Sequence, residues 1–164
     1  MRRKLSRLGN YFRVRKAIKI VHSHKGGLFI GGPTRLTSHT YLGHNVNFNG
    51  MEIRGGGNVV IGDNFHSGKG CLIITQNHNY EGNEIPYDST YIYKDVMIGD
   101  NVWFGDRVIV LGGVKIGEGV IIQAGAVVVK DIPDCGIAGG NPAQVFKYRD
   151  KDHYYKLKVE GKFH

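Results

Sequence analysis

Between Thr75 and Ser89 the chain reads Thr-Gln-Asn-His-Asn-Tyr-Glu-Gly-Asn-Glu-Ile-Pro-Tyr-Asp-Ser. This stretch is polar, aromatic and punctuated by Gly and Pro, and it holds one histidine, His78. An imidazole has a reference pKa of about 6.5, so it is neutral near pH 7 and can take a proton from a weakly acidic hydroxyl. Such general-base assistance contributes about 10²–10⁴-fold. Asn77 and Asn79 flank His78 and are polar orienting candidates. Tyr80, Glu81, Glu84 and Tyr87 offer aromatic faces and carboxylates, which suit hydroxylated rings. On residue type alone, the same pattern also describes a solvated loop packed on itself. Of the other histidines, His22, His24, His39, His44 and His66 lie on early segments, and His153 and His164 are terminal.

What must position this stretch is a repeat. Stepping by six from Ile98 gives Phe104, Val110, Ile116, Ile122 and Val128, all large and apolar. Four residues after each come Val102, Val108, Val114, Val120, Ala126 and Ile132, apolar again. An α-helix wants period 3.6 and few glycines, and a hairpin sheet wants period 2. Period six fits a hexapeptide β-helix, in which each repeat makes one flat side of a triangular coil and three repeats close it. Gly or Asp-Asn at the bends accepts the turn dihedrals. Residues 98–133 are therefore two complete coils.

The pattern appears earlier at Ile30, Leu36, Leu42 and Phe48, with Thr34, Thr40 and Val46 four places on. It breaks at Met51–Asn58, where Gly55-Gly56-Gly57 signals a bulge or altered turn. It resumes at Ile61, then Ser67 with Cys71, then Ile73, and fails again over 75–95. Cys71 falls at an inward position, as small core filler. The division expected is a basic arm and helix cap over 1–27, a β-helix over 28–140 with the 75–95 excursion, and a capping helix and tail over 141–164. A short helix is expected over 5–20, and a second over Gln144–Lys158, covering the open ends of the stack. Periodicity leaves the hand of the coil open.

The 164 residues suit one domain, and 41% are hydrophobic, enough for a core. The 25 glycines follow no collagen-like period and point to many tight turns. Net charge is +8. Arg2, Arg3, Lys4, Arg7, Arg13, Arg15, Lys16 and Lys19 carry it, with no acid before residue 20, and the rest of the chain is balanced. Such an arm suits contact with an anionic membrane surface, an acidic polymer or a partner, or is a solvated helical extension. It lacks the aromatic-basic interleaving of nucleic-acid modules, so no nucleic-acid partner is expected. Two cysteines far apart, Cys71 and Cys135, suggest a reduced, cytoplasmic chain rather than a disulfide scaffold. No apolar run approaches the roughly 18 residues of a membrane span.

The stretch Tyr93–Gly105, containing Ile98-Gly99-Asp100-Asn101-Val102-Trp103-Phe104-Gly105, resembles the hexapeptide-repeat acyltransferases, as does Lys130-Asp131-Ile132-Pro133 followed by Gly140-Asn141-Pro142-Ala143. Within them the chain is most similar to galactoside/maltose and polysaccharide O-acetyltransferases, to which the tail Arg149–Tyr155 also corresponds. The resemblance implies an all-β, left-handed parallel β-helix with a protruding loop and short terminal helices. It further implies acetyl-CoA as cosubstrate, no metal, a sugar acceptor, and a homotrimer with active sites between subunits. The catalytic histidine it implies is His78. A fixed oxyanion donor would fall near Gly105 and Asp106. Trp103 is either an intersubunit packing residue or a ligand stack. Coenzyme A contacts would fall on Ala124, Val129, Lys130, Asn141 and Pro142. Val129 replaces a common Thr and Gln144 a common basic residue, which moves phosphate binding toward Lys147 or Arg149. Asn49 stands near a sugar-binding asparagine of the family. The long amino-terminal sugar-binding segment of galactoside acetyltransferases is replaced by the basic arm, with peripheral contact at the inner membrane face as its counterpart.

The reading is thus an acetyl-CoA-dependent O-acetyltransferase acting on a surface-polysaccharide sugar or its precursor. Alternatives are an N-acetyltransferase of an amino-sugar nucleotide, a zinc carbonic anhydrase, which needs three converging histidines, and a non-catalytic scaffold.

Overall fold

The computed structural model describes residues 2–164, with side chains from Leu8 onward. The chain winds into a left-handed parallel β-helix of about six turns. Its three flat faces are named A, B and C. Face A stacks Ser23–His24, Thr40–Leu42, Val59–Ile61, Val96–Ile98 and Lys115–Ile116. Face B stacks Phe29–Ile30, Asn47–Phe48, His66–Ser67, Trp103–Phe104, Ile121–Ile122 and Gly136–Gly139 in parallel, and closes with antiparallel Gln144–Tyr148. Face C stacks Met51–Arg54, Cys71–Ile74, Ile109–Leu111 and Val127–Val128.

All twelve apolar positions of the 98–133 hexads are buried. Phe48, Phe65 and Phe104 stack edge-to-face through successive coils, with centroids 5.9 and 5.1 Å apart, and Cys71 is buried beside them in the core. The earlier break proves to be small. Met51–Arg54 is a regular strand, but Ile53 pairs with Ile73, twenty residues on, where Val110 pairs with Val128 after eighteen. The extra residues are taken up at the corner of Gly55-Gly56-Gly57, against Thr75 and Gln76.

The A/B edge shows why Asp-Asn recurs at bends. Asn45, Asn64 and Asn101 all have φ between 55° and 58°, a left-handed conformation that asparagine tolerates. Their side chains form a ladder: Asn45 Nδ2 donates to Asn64 Oδ1, and Asn64 Nδ2 to Asn101 Oδ1, both at 2.9 Å. The aspartates just before Asn64 and Asn101 each cap the preceding coil, Asp63 accepting from the His44 N–H and Asp100 from the Asp63 N–H.

Both ends of the stack are covered, though not both as expected. Helix α1 (Arg2–Ile18) caps the first coil. Asn10 Oδ1 accepts from the Ile30 N–H at 2.7 Å and Arg13 Nε donates to the Ile30 carbonyl at 2.8 Å, so the open strand edge keeps its hydrogen bonds. The coil itself begins at Ser23 rather than at residue 28. At the other end the expected helix over 144–158 is corrected. Gln144–Tyr148 is a strand, because the exposed edge of Gly136–Gly139 needs a backbone partner that a helix cannot supply. The helix, α2, spans only Lys151–Val159, N-capped by Asp150, and covers no coil end. It runs back along the A/B edge. Arg149 Nε donates to the Gly119 carbonyl, and Lys158 Nζ pairs with Glu118, each at 2.6 Å. The Tyr154 hydroxyl accepts from Asn101 Nδ2 and donates to Glu118. Burial raises Tyr154 well above the usual phenol range, so the donor stays protonated. Gly119 stands where the ladder would continue; a Cβ there would lie 2.8 Å from the Tyr154 ring.

Candidate active site

The excursion over 75–95 is an antiparallel hairpin, Gln76–His78 against Tyr91–Tyr93, rooted at the C/A edge. Thr75, its last inward residue, is buried: its hydroxyl donates to the Arg54 carbonyl and accepts from the Gly57 N–H. His78 ends the first strand, opposite Tyr91, and its ring is exposed. The imidazole lies flat on Tyr87, with centroids 3.9 Å apart and planes 15° apart, and leans on Tyr91 at 4.9 Å. The aromatic rings cover its faces, while its nitrogens lie at the edge, where proton transfer occurs.

The turn that brings Tyr87 back is held by Asp88, Thr90 and Asn79. Asp88 accepts from both the backbone N–H and the hydroxyl of Thr90, and from the Asn83 N–H. The Thr90 hydroxyl bond holds the Asp88 carboxyl below its ordinary pKa. Asn79 Nδ2 donates to Thr90 Oγ1, so Asn79 shapes the turn. Asn77 is exposed and faces Ile92 in the ladder. Of the acceptor candidates in the loop, Tyr87 is brought onto His78, while Tyr80, Glu81 and Glu84 stand exposed around the turn. Sequence reasoning missed Tyr91, whose role follows only from strand pairing, and Asp88 with Thr90, whose Asp-Ser-Thr spacing was a legible turn signal.

The remaining candidates fall on other parts of the prism. Gly105, Asp106, Ala124, Asn141 and Pro142 lie on the B/C edge. Gly105 donates its N–H to Ile122, and a Cβ there would lie 2.6 Å from the Ala124 nitrogen. The Asp106 carboxylate caps the Lys69 N–H. Around Gly125 the space is open, leaving a bare strip beside exposed Ala124, Asn141 and Pro142. Asn49 shares this edge, but its Nδ2 donates to the Ser67 carbonyl, a coil-to-coil bond. Val129 and Lys130 are exposed at the C/A edge, two coils beyond the hairpin root. Lys147 is exposed on the closing strand of face B. Arg149 is committed to docking α2. Trp103 stands on face B in a cleft of about 460 Å³ beneath the C-terminal tail, with Tyr154 and Phe163. Within one chain, then, His78 and the B/C-edge residues occupy opposite edges of face C. Among the described residues no group of three His, Cys, Asp or Glu could hold a metal ion.

Residues 95–130 match the bacterial transferase hexapeptide family (six repeats). The galactoside O-acetyltransferase of Escherichia coli K12 is 35% identical over 130 residues, covering 76% of this chain and 63% of that protein. A protein of Saccharomyces cerevisiae is 39% identical over 117 residues, 70% of this chain and 59% of its own length. The chain thus spans about three fifths of these curated relatives. Among solved structures, a galactoside acetyltransferase in complex with coenzyme A superposes with a TM-score of 0.74 at 27% identity, covering 86% of this chain and 72% of that one. A maltose O-acetyltransferase from Clostridium difficile 630 does so with a TM-score of 0.70 at 28% identity, covering 90% and 84%. Over residues 95–130 the chain thus carries the hexapeptide repeat of this transferase family, and over most of its length it is similar in sequence and fold to these acetyltransferases.

Proposed function

We propose that the protein transfers an acetyl group from acetyl-CoA to a hydroxyl of a saccharide, with His78 as general base. The observation that carries this reading is His78 itself, an imidazole lying flat on Tyr87 at the end of the first strand of the hairpin that interrupts the coil. The likeness to galactoside and maltose O-acetyltransferases supports the reaction class. Acetyl-CoA supplies an activated thioester. His78 takes the hydroxyl proton as the oxygen attacks the acetyl carbon, and returns it to the departing coenzyme A thiolate as the C–S bond breaks. The Gly105 amide is spent on Ile122, so the Asp106 amide is the oxyanion donor of that pair. The bare strip at Ala124–Gly125 fits a pantetheine arm, and the exposed ammonium groups of Lys130 and Lys147 fit nucleotide phosphates.

The two halves of this site lie on opposite edges of face C, so a second copy completes it. Face C is suited to that contact. Its outward residues Leu72, Ile109 and Val127 form one aliphatic row, and Ile74, Leu111 and Val129 the next. Packing such faces around a three-fold axis sets the B/C edge of one subunit against the C/A edge of its neighbour, a closed heterologous ring.

The test is thiol release from acetyl-CoA with a panel of saccharides and amino-sugar nucleotides. His78→Ala should cut turnover of hydroxyl acceptors by about 10²–10⁴-fold. If that variant keeps most of its activity, the base is another group. Turnover confined to amino sugars would move the assignment to N-transfer.

A further inference from the structure

Helix α1 does more than cap the coil. Its inner face, Asn10, Arg13, Val14 and Ala17, packs on the first coil. Its outer face carries Leu8, Tyr11 and Phe12 at helical spacings of three and four, and these side chains are 55%, 52% and 61% exposed. Arg15 continues the same face, Lys16 lies beside it, Lys19 follows in the turn after the helix, and all three are exposed. No acid occurs before residue 20, and Arg2, Arg3, Lys4 and Arg7 precede the apolar group in sequence.

We infer that α1 anchors the protein to an anionic lipid surface through this outer face. The chemistry matches on both counts. Leu8 and Phe12 enter the acyl boundary, the Tyr11 ring sits at headgroup depth with its hydroxyl in water, and the cationic flank meets anionic headgroups. A folded protein partner fits less well. The three apolar side chains described on this face fall far short of the roughly 800 Å² per partner of a stable interface, and such a partner would need an acidic rim on every side. The face lies at the N-terminal end of the prism, so the anchor leaves face C and both its edges free. No described helix is long and apolar enough to cross a membrane, so the contact is interfacial.

This inference is independent of the acetyl-transfer reading, and its readout is binding. The full chain is sedimented with phosphatidylcholine vesicles and with vesicles that also contain phosphatidylserine, at low and high salt. Binding is expected to the phosphatidylserine vesicles, weakened by salt, with little to phosphatidylcholine alone. The double variant Leu8→Glu with Phe12→Glu should weaken it about tenfold or more. Arg15→Gln with Lys19→Gln should weaken it several-fold while flattening the salt dependence. All four positions are exposed, and unchanged circular dichroism and thermal midpoint confirm an intact coil. Vesicle binding that ignores both double variants overturns the proposal, as does a wild-type protein that binds neither vesicle. A wild type that ignores vesicles but changes its self-association on Leu8→Glu with Phe12→Glu would overturn it in favour of a contact between copies.

Discussion

At the scale of single residues, His78 shows how little an exposed histidine says until its neighbours are placed. As the proposed base, its ring nitrogens need freedom to exchange a proton, while its plane needs restraint. Stacking on Tyr87 supplies the restraint without occupying a nitrogen. Aromatic pairs of this kind contribute about 0.5–1.5 kcal/mol beyond burial. Tyr87→Ala should therefore lower kcat by up to about tenfold at little changed KM for acetyl-CoA, and Tyr87→Phe should restore it. Steady-state kinetics of both variants decides this; equal loss in both would mean the hydroxyl, not the stack, matters. His78 and Tyr87 were both legible in the sequence as residues, but their stacking was not. It depends on a hairpin register and on the Asp88–Thr90 turn, neither of which leaves a periodic signal.

His66 presents the opposite case, a histidine whose neighbours hold it neutral. Asn47 Nδ2 donates to the carbonyl of Asn45 at 3.1 Å and lies 3.2 Å from His66 Nε2, so the amide hydrogens face a ring lone pair. Burial lowers the His66 pKa below 6.5, and the nearby His164 imidazole lowers it further, against a backbone contact of His164 that raises it. The folded state therefore prefers the neutral ring. Its contribution to stability is complete above pH 6.5 and is lost as pH falls through the lower folded value. Thermal midpoints measured from about pH 7 down to about pH 5 should fall more steeply for the wild type than for His66→Gln. Parallel curves would refute the assignment.

At the scale of elements, the hexads announced the coil because every inward side chain repeats at one spacing and all twelve of the clean set are buried. Corners and ends were harder to read. Asp63-Asn64 and Asp100-Asn101 were visible as bend residues, yet the ladder they form joins residues 37 positions apart, a distance set by the inserted hairpin. Gln144–Tyr148 lacks Gly and Pro and passed for a helix; an unpaired strand edge, a tertiary demand, decided otherwise. The ladder carries its own prediction. Asn64→Ala loses two side-chain hydrogen bonds and places an ordinary residue at φ 55°, and should cost about 2–4 kcal/mol. Asn64→Gly loses the bonds but keeps the backbone at ease, and should cost about half as much. Denaturant midpoints for the two variants measure the difference, and equal losses would leave the left-handed corner with no energetic role.

At the scale of the whole molecule, the outward residues of the hexads matter most. In sequence they are the positions that the apolar period leaves unspecified, and nothing in the period marks them. Only when the coil is closed do Leu72, Ile109 and Val127 align as one row, and Ile74, Leu111 and Val129 as another. A face of six aliphatic side chains between two polar edges is costly to leave in water and resembles half of a core. The charges of this face, Glu52 and Arg54, sit on its first coil and pair with each other at 2.9 Å, so they leave the aliphatic rows clear. If the reactive halves meet only across this contact, assembly and transfer must fail together. Leu111→Arg places a cation mid-face without touching the buried hexads, and pairing it with Ile109→Arg should give a folded single chain by sedimentation velocity. Acetyl transfer by that variant should fall to the level of His78→Ala, while its circular dichroism stays that of the wild type. An assembled variant would move the interface to another face, and a monomer with full turnover would mean that one chain holds the whole site.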